Sequence, residues 1–269
     1  MARRTDADAL SFGLVIGSLA SIAVVFLIAP TVILLITSFT DSESLKFPPS
    51  GYSFRWYAAL VDAHQLLDAA WNSLVVAVWT TALSVILGVT AALAIGRSHA
   101  PWAKALDSVF MSPLLLPALA FGFGALIYFN SIGLAQSMVG LIFGHTAVCV
   151  PFVLRNSIAA LSQLNPAMQE ASESLGAGRL YTFRRVTLPL IAPGVGAGSF
   201  IAFMSSFDNV PVSLFLSDAR TQMLPIHLWE IIETNLDVRT AAASGVIVVA
   251  TLVLMILAER FAGLTKQLR

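Results

Sequence analysis

The chain has 269 residues, 57% of them hydrophobic and only 11% charged, with a formal net charge of zero. A soluble domain of this length needs about a quarter of its residues charged to keep its surface wet. Most of this surface must therefore face lipid, and the neutral balance offers nothing to a nucleic acid. The single cysteine, Cys149, lies in an apolar run, so there is no internal disulfide and no metal-ligand spacing.

Five stretches carry no Asp, Glu, Lys or Arg: 10–40, 69–96, 108–154, 186–207 and 240–258. A bilayer core needs about 20 helical residues per crossing. The third stretch is long enough for two crossings and is split by the polar, turn-forming run Asn130 to Gln136. An all-α membrane protein with six transmembrane helices is expected. The first apolar run follows Arg3 and Arg4, as a signal peptide would, but it is far longer than the roughly 7–15 residues of a signal core. It reads as an uncleaved first span. The next outer loop carries Phe54-Arg55-Trp56-Tyr57, an expected interfacial anchor.

Small residues recur four apart in the spans: Gly13 and Gly17, Gly88 with Ala92 and Gly96, and Gly140 and Gly144. Such spacing lets helix backbones approach closely. Pro113 and Pro117 interrupt the third span and Pro189 and Pro193 begin the fifth, so kinked or broken helices are expected there. His145 lies in the fourth span. With no acid in that span, a hydrogen-bonded histidine between helices is the expectation.

Charge sets an orientation. With the amino terminus in the cytoplasm, the inner side holds Arg3, Arg4, Arg97, Lys104, Arg155, Arg179, Arg184, Arg185, Arg260, Lys266 and Arg269. The outer side holds only Lys46, Arg55, Arg220 and Arg239. The reverse orientation inverts that ratio against the positive-inside bias. Asp41, Glu43, Asp62, Asp68, Asp208, Asp218, Glu230, Glu233 and Asp237 then fall outside.

The loop between the fourth and fifth spans is the most informative stretch. Asn165 and Pro166 make a good helix start, since Asn caps and Pro suits the first helical position. Leu164, Met168, Ala171 and Leu175 recur at helical spacing as a narrow apolar stripe, with Gln169, Glu170 and Glu173 off it. Gly176 is placed to end the helix. A helix of about ten residues is about 15 Å long and marginal in water, so it needs something to dock against.

Glu170-Ala171-Ser172, then three residues, Gly176, nine residues, Val186, one residue and Leu188-Pro189 resembles the EAA loop of ABC importer permeases. The family pattern has Ala where Ser172 stands and Ile where Val186 stands. The resemblance extends over roughly residues 70 to 260, including Leu-Pro-Ile-His-Leu-Trp at Leu224 to Trp229. It implies the MetI-like fold of type I importers, with the loop helix seated in a cleft of a cytoplasmic ATPase dimer. Glu170, Ala171, Ser172, Gly176, Leu188 and Pro189 are the coupling residues it implies. It also implies a second permease subunit, here a different chain, a periplasmic substrate-binding protein and a bacterial inner-membrane location with both termini in the cytoplasm. The organisation expected is an N-terminal helix and outer loop (1–69), the transmembrane domain (70–262) with the coupling loop at 164–189, and a short cytoplasmic tail (263–269).

No Gly-Lys dipeptide occurs, so the chain has no phosphate-binding loop of its own. No catalytic triad or metal cluster is visible either; no cofactor is expected, and ATP hydrolysis must reside on another subunit. Within the family the chain looks most like the permeases of spermidine and putrescine importers, on Met111-Ser112-Pro113, on His145 to Val153 and on Ser206-Phe207-Asp208-Asn209 leading to Leu224-Pro225. Permeases for ferric iron, thiamine, phosphonates and opine-like compounds share parts of these. Asp208, at the outer end of the fifth span, with Asn209 and Glu230, are the candidate substrate-pathway residues. An ion-coupled secondary transporter would carry acids or bases in mid-span, and here the spans hold essentially only His145.

Overall fold

The computed structural model describes residues 2–96, 98, 100–134, 136–234 and 238–262. Arg97, Asp237, Lys266, Arg269 and the tail 263–269 lie outside them, as do the side chains of Arg3 and Arg4. Among the described residues the chain is helical, in the order α1 (Ala2–Thr37), α2 (Arg55–Val61), α3 (His64–Ile95), α4 (Pro101–Leu115), α5 (Ala118–Ser131) and α6 (Met138–Ser162). Then come α7 (Pro166–Ser174), α8 (Arg179–Thr182), a π-helical turn (Phe183–Thr187), α9 (Leu188–Phe207), α10 (Val210–Leu216), α11 (Leu224–Thr234) and α12 (Val238–Ala262). Five segments are long and apolar enough to cross a membrane: Phe12–Thr37, His64–Ile95, Met138–Ser162, Arg179–Phe207 and Val238–Leu257. A sixth is the pair α4 and α5, bent by 106° at the break between them.

That break is the expected effect of proline, located more closely than the sequence allows. Pro113 lies inside α4, while Pro117 is the N-cap of α5, so the chain turns at Leu116 and Pro117. The fifth span differs from expectation. It starts at Arg179 rather than at Pro189, which is only the second residue of α9. Pro189 has no N–H for the carbonyl of Arg185. The π-turn sits one residue ahead of α9, and the N–H of Leu188 reaches back to the carbonyl of Phe183. A wider turn there accommodates the missing donor.

The chain divides into two compact units, one formed by Met1–Ala63 with Ile231–Ala250 and the other by His64–Glu230 with Thr251–Arg269. In the first, α1 runs into a loop whose aromatic residues cluster. Phe39 meets Phe54 edge-on at 5.3 Å and Tyr57 at 4.9 Å. Arg55 lies over the Trp56 ring at 4.4 Å. The Tyr57 hydroxyl bonds the Ser38 hydroxyl at 2.6 Å, and Gly245 of α12 leaves room for that pair. Gly13 and Gly17, expected to receive a neighbouring helix, face open space.

The second unit is built on α3, α6 and α9. Thr80 pairs with the Ile142 carbonyl, and Gly88 and Gly96 approach residues 153–158, so α3 and α6 run parallel. α9 runs the other way, with Gly194 and Gly198 against residues 152–160 and Ser206 beside His145. The small residues determine how close these helices come. A Cβ on Gly198 would lie 2.8 Å from the Val153 Cα, and one on Gly88 would lie 2.9 Å from the Val153 Cβ. The space is filled by Ala92, Val153, Leu154, Ile191 and Ala202, all buried. A smaller cluster of Val76, Leu141, Val212, Leu216 and Met223 fixes α10 and the segment leading into α11. Where the two clusters adjoin, His145 is fully buried, its Nδ1 3.0 Å from the Ser206 hydroxyl and its Nε2 3.3 Å from that of Ser213. It ties α6 to α9 and α10, as expected for a histidine held between helices.

Candidate functional site

The helix at residues 166–174 forms as its sequence dictates. Asn165 Oδ1 accepts from the Ala167 N–H at 3.0 Å, and Pro166 occupies the first turn. At the other end Gly176 adopts φ +85°. The Ala177 N–H then reaches the Ser172 carbonyl at 3.1 Å and the Gly176 N–H reaches that of Glu173 at 2.9 Å. This paired closure satisfies the last carbonyls and requires a left-handed residue, for which glycine is the least costly choice.

The helix docks on its own bundle through polar side chains. Gln169 Nε2 donates to Thr187 Oγ1 at 2.6 Å, and the Ser172 and Thr182 hydroxyls are 2.9 Å apart. Ser172, the departure from the family's alanine, therefore has a structural partner. The apolar stripe is divided: Leu164 is buried in the bundle core, while Met168, Ala171 and Leu175 are exposed, Leu175 at 89% of its surface. Glu170 is exposed on the same helix, and Leu188 and Pro189 are exposed at the start of α9. The Gln169 and Ser172 hydrogen bonds contribute about 0.5–1.5 kcal/mol each to seating this nine-residue helix, whose Met168, Ala171 and Leu175 side chains face outward.

A second site lies at the other end of the same helices. The start of α3, the loop after α10 and the first turns of α11 enclose a cleft of about 800 Å³. Asp68, Asp218 and Glu230 line it with Arg220, so its carboxylates outnumber its guanidinium three to one; Gln65, Asn72, Gln222 and His227 complete its polar wall. The loop is tied down from both sides. Asn72 Nδ2 donates to the Gln222 carbonyl at 3.1 Å, and Ser73 Oγ accepts from the Leu224 N–H at 2.8 Å. Asp218 Oδ1 accepts from the N–H groups of Arg220 and Thr221 and from the Thr221 hydroxyl. Those Thr221 bonds hold its carboxyl below the usual carboxylate range. Gln222 donates to Glu230.

Of the sequence-derived candidates, Glu230 is in this cleft. Asp208 and Asn209 do not line it. Asp208 is the exposed C-cap of α9, and Asn209 Oδ1 accepts from the Val212 N–H at 2.9 Å as the N-cap of α10. Sequence reasoning misses the cleft residues Asn72, Arg220, Gln222 and His227. For Arg220 and Gln222 the one sequence signal is the dense polar run Asp218 to Gln222 just ahead of Leu224; Asn72 and His227, on α3 and α11, carry none. Sequence reasoning likewise does not single out Gln169, Thr182 and Thr187 as the seat of α7.

Residues 84–267 match the family described as the inner membrane component of binding-protein-dependent transport systems. The chain belongs to that family: it is a multi-pass permease subunit of an ABC importer. The spermidine/putrescine transport system permease protein PotC of Escherichia coli K12 is 27% identical over 237 residues, covering 88% of this chain and 89% of that protein. The putrescine transport system permease protein PotI of the same strain is 29% identical over 208 residues, covering 75% and 74%. The putative 2-aminoethylphosphonate transport system permease protein PhnV of Salmonella typhimurium is 25% identical, covering 91% and 93%. Among solved structures, a bacterial alginate ABC transporter crystallised with its pentasaccharide-bound periplasmic protein superposes with TM-score 0.71 at 17% identity, over 96% of this chain and 95% of that one. The inward-facing MetNI methionine ABC transporter gives 0.60 at 15%, over 74% and 95%. At such identities the superpositions show a shared fold.

Proposed function

We propose that this permease imports a polyamine, spermidine or putrescine, and that α7 is the lever through which an ATPase dimer in the cytoplasm moves its spans. The observation that carries the substrate is the cleft at the far end from α7, where Asp68, Asp218 and Glu230 face one guanidinium. Such a surplus of carboxylates attracts a flexible cation and focuses its approach. Kinship with PotC and PotI supports the same cargo. Asp208 stands at the same end of α9 as a further carboxylate for the entering cation.

The lever reading rests on the exposed stripe of Met168, Ala171 and Leu175. Glu170 and Gly176 are its polar and turning contacts, and Leu188 and Pro189 pass its movement into α9. This end then lies in the cytoplasm and the cleft outside, with a binding protein delivering cargo there and a different permease chain completing the pathway. The positive-inside count agrees.

A second reading is favoured by Arg220. A guanidinium among carboxylates suits a zwitterion such as 2-aminoethylphosphonate, and PhnV is similar over nearly the whole chain. One experiment separates the two. The importer is reconstituted with its binding protein, and uptake of labelled putrescine and of 2-aminoethylphosphonate is measured with and without ATP. ATP-dependent putrescine uptake that Asp208→Asn slows at unchanged protein level supports the polyamine reading. Uptake of the phosphonate alone refutes it.

A further inference from the structure

At the foot of the fifth span a groove of about 580 Å³ is lined by Leu180, Tyr181, Arg184 and Arg185. On the same stretch Thr182 and Thr187 are buried and carry the hydrogen bonds to α7. The coupling helix therefore takes one side of this segment, and the groove's own residues are turned to the surface. Leu180 and Tyr181 are 68% and 60% exposed. Among the described residues neither the Arg184 nor the Arg185 side chain has an ion pair or hydrogen bond, in contrast to Arg155, which pairs with Asp107. Two adjacent guanidiniums are thus held together by the π-turn with no counter-charge.

Further along the span the surface is apolar. Leu188 and Leu190 are exposed on different sides of the first turn of α9, in a segment long and apolar enough to cross the bilayer. A ligand here meets two cations, a phenol and a leucine at one end and hydrocarbon-facing Leu188 at the other. We propose that the groove is a binding site for an anionic phospholipid. The Arg184 and Arg185 guanidiniums hold its phosphodiester, Tyr181 sits at headgroup level, and the acyl chains lie against the first turn of α9 at Leu188. Guanidinium forks match phosphate oxygens geometrically. Tyrosine belongs at the membrane–water boundary, and basic pockets beside spans take acidic headgroups. A protein partner offering only carboxylates would leave the leucine side of the surface uncovered.

The test uses the assembled importer with its ATPase in nanodiscs of phosphatidylglycerol and phosphatidylcholine, counting retained lipids by native mass spectrometry. Each basic side chain near an anionic surface contributes about a five-fold preference, so R184Q/R185Q should lower the preference for phosphatidylglycerol by roughly thirty-fold. It should lose about one such lipid per copy of this chain, while the ATPase stays bound and R184K/R185K retains most of the effect. If the glutamine double variant does not assemble, R185Q alone should give a partial loss. Unchanged lipid retention overturns the proposal. So does release of the ATPase, which would make the pair a motor contact. Displacement of the lipid by water-soluble glycerophosphoglycerol would make it a soluble-phosphate site.

Discussion

Gly176 offers a perturbation whose cost can be worked from its geometry. Its φ of +85° closes the end of α7, and a Cβ added there meets nothing within 4 Å. A substitution therefore introduces backbone strain without a clash. For an ordinary L-residue the left-handed conformation costs about 1–2 kcal/mol, which shifts a local equilibrium about 5- to 30-fold. That is comparable to what the Gln169–Thr187 and Ser172–Thr182 bonds together supply. The cap should open in a large fraction of molecules while the α3, α6 and α9 core is untouched. The loss should be graded. Gly176→Asn, which tolerates left-handed backbone, should keep most uptake; Gly176→Ala should lose several-fold; Gly176→Val should lose nearly all. Gly176→Asp shares asparagine's backbone tolerance, so any additional loss reports the added charge rather than backbone strain. The assay is labelled-substrate uptake in cells lacking the native gene, with membrane level by immunoblot and ATP hydrolysis in the purified complex. Full uptake by Gly176→Val at wild-type level, or losses that merely track protein level, would refute the lever assignment.

Gly198→Leu places atoms against the Val153 Cα and the Phe152 carbonyl, which are backbone and cannot yield; overpacking of about 1–3 kcal/mol or more should lower the amount of folded protein recovered in detergent, and normal recovery would contradict the close approach. His145→Leu removes the partner of two hydroxyls in the bundle and should cost about 1–3 kcal/mol, read as a lower melting temperature, with His145→Gln intermediate. Asp218→Asn should raise hydrogen exchange at Arg220 and Thr221, whose N–H groups the carboxylate accepts. The carboxyl is held low in the fold, so the stability its charge contributes is fully present above the ordinary carboxylate pKa of about 4. It is lost only as pH falls through the lower folded value. The protection factor of the wild-type loop, taken against the base-catalysed intrinsic exchange rate, should accordingly be flat between pH 5 and 8, and a fall in protection across that window would show that another group holds the loop.

Much of the architecture can be read from charge-free length alone. A run of apolar residues in lipid must be helical to satisfy its own backbone, so the gaps between charges map onto spans, and the split at 130–136 falls between α5 and α6. The loop helix is equally legible, because Asn165, Pro166 and Gly176 each act on backbone within a few residues of themselves. What local pattern could not determine was which surface each residue meets. Gly13 and Gly17 have the same spacing as Gly140 and Gly144, yet the first pair faces open space while Gly144 packs under Leu216 and Val212. Spacing records a face of a helix, whereas the neighbour opposite that face comes from elsewhere in the chain. The same holds for the cleft. Asp68 and Asp218 are 150 positions apart and meet only because α3 and the loop after α10 are brought to one end of the bundle. Helices, caps and spans are written in short-range backbone chemistry and in the demand of lipid for paired amides. The acidic cleft and the seat of α7 exist only through tertiary packing, since each requires groups from separate segments to be held at contact distance.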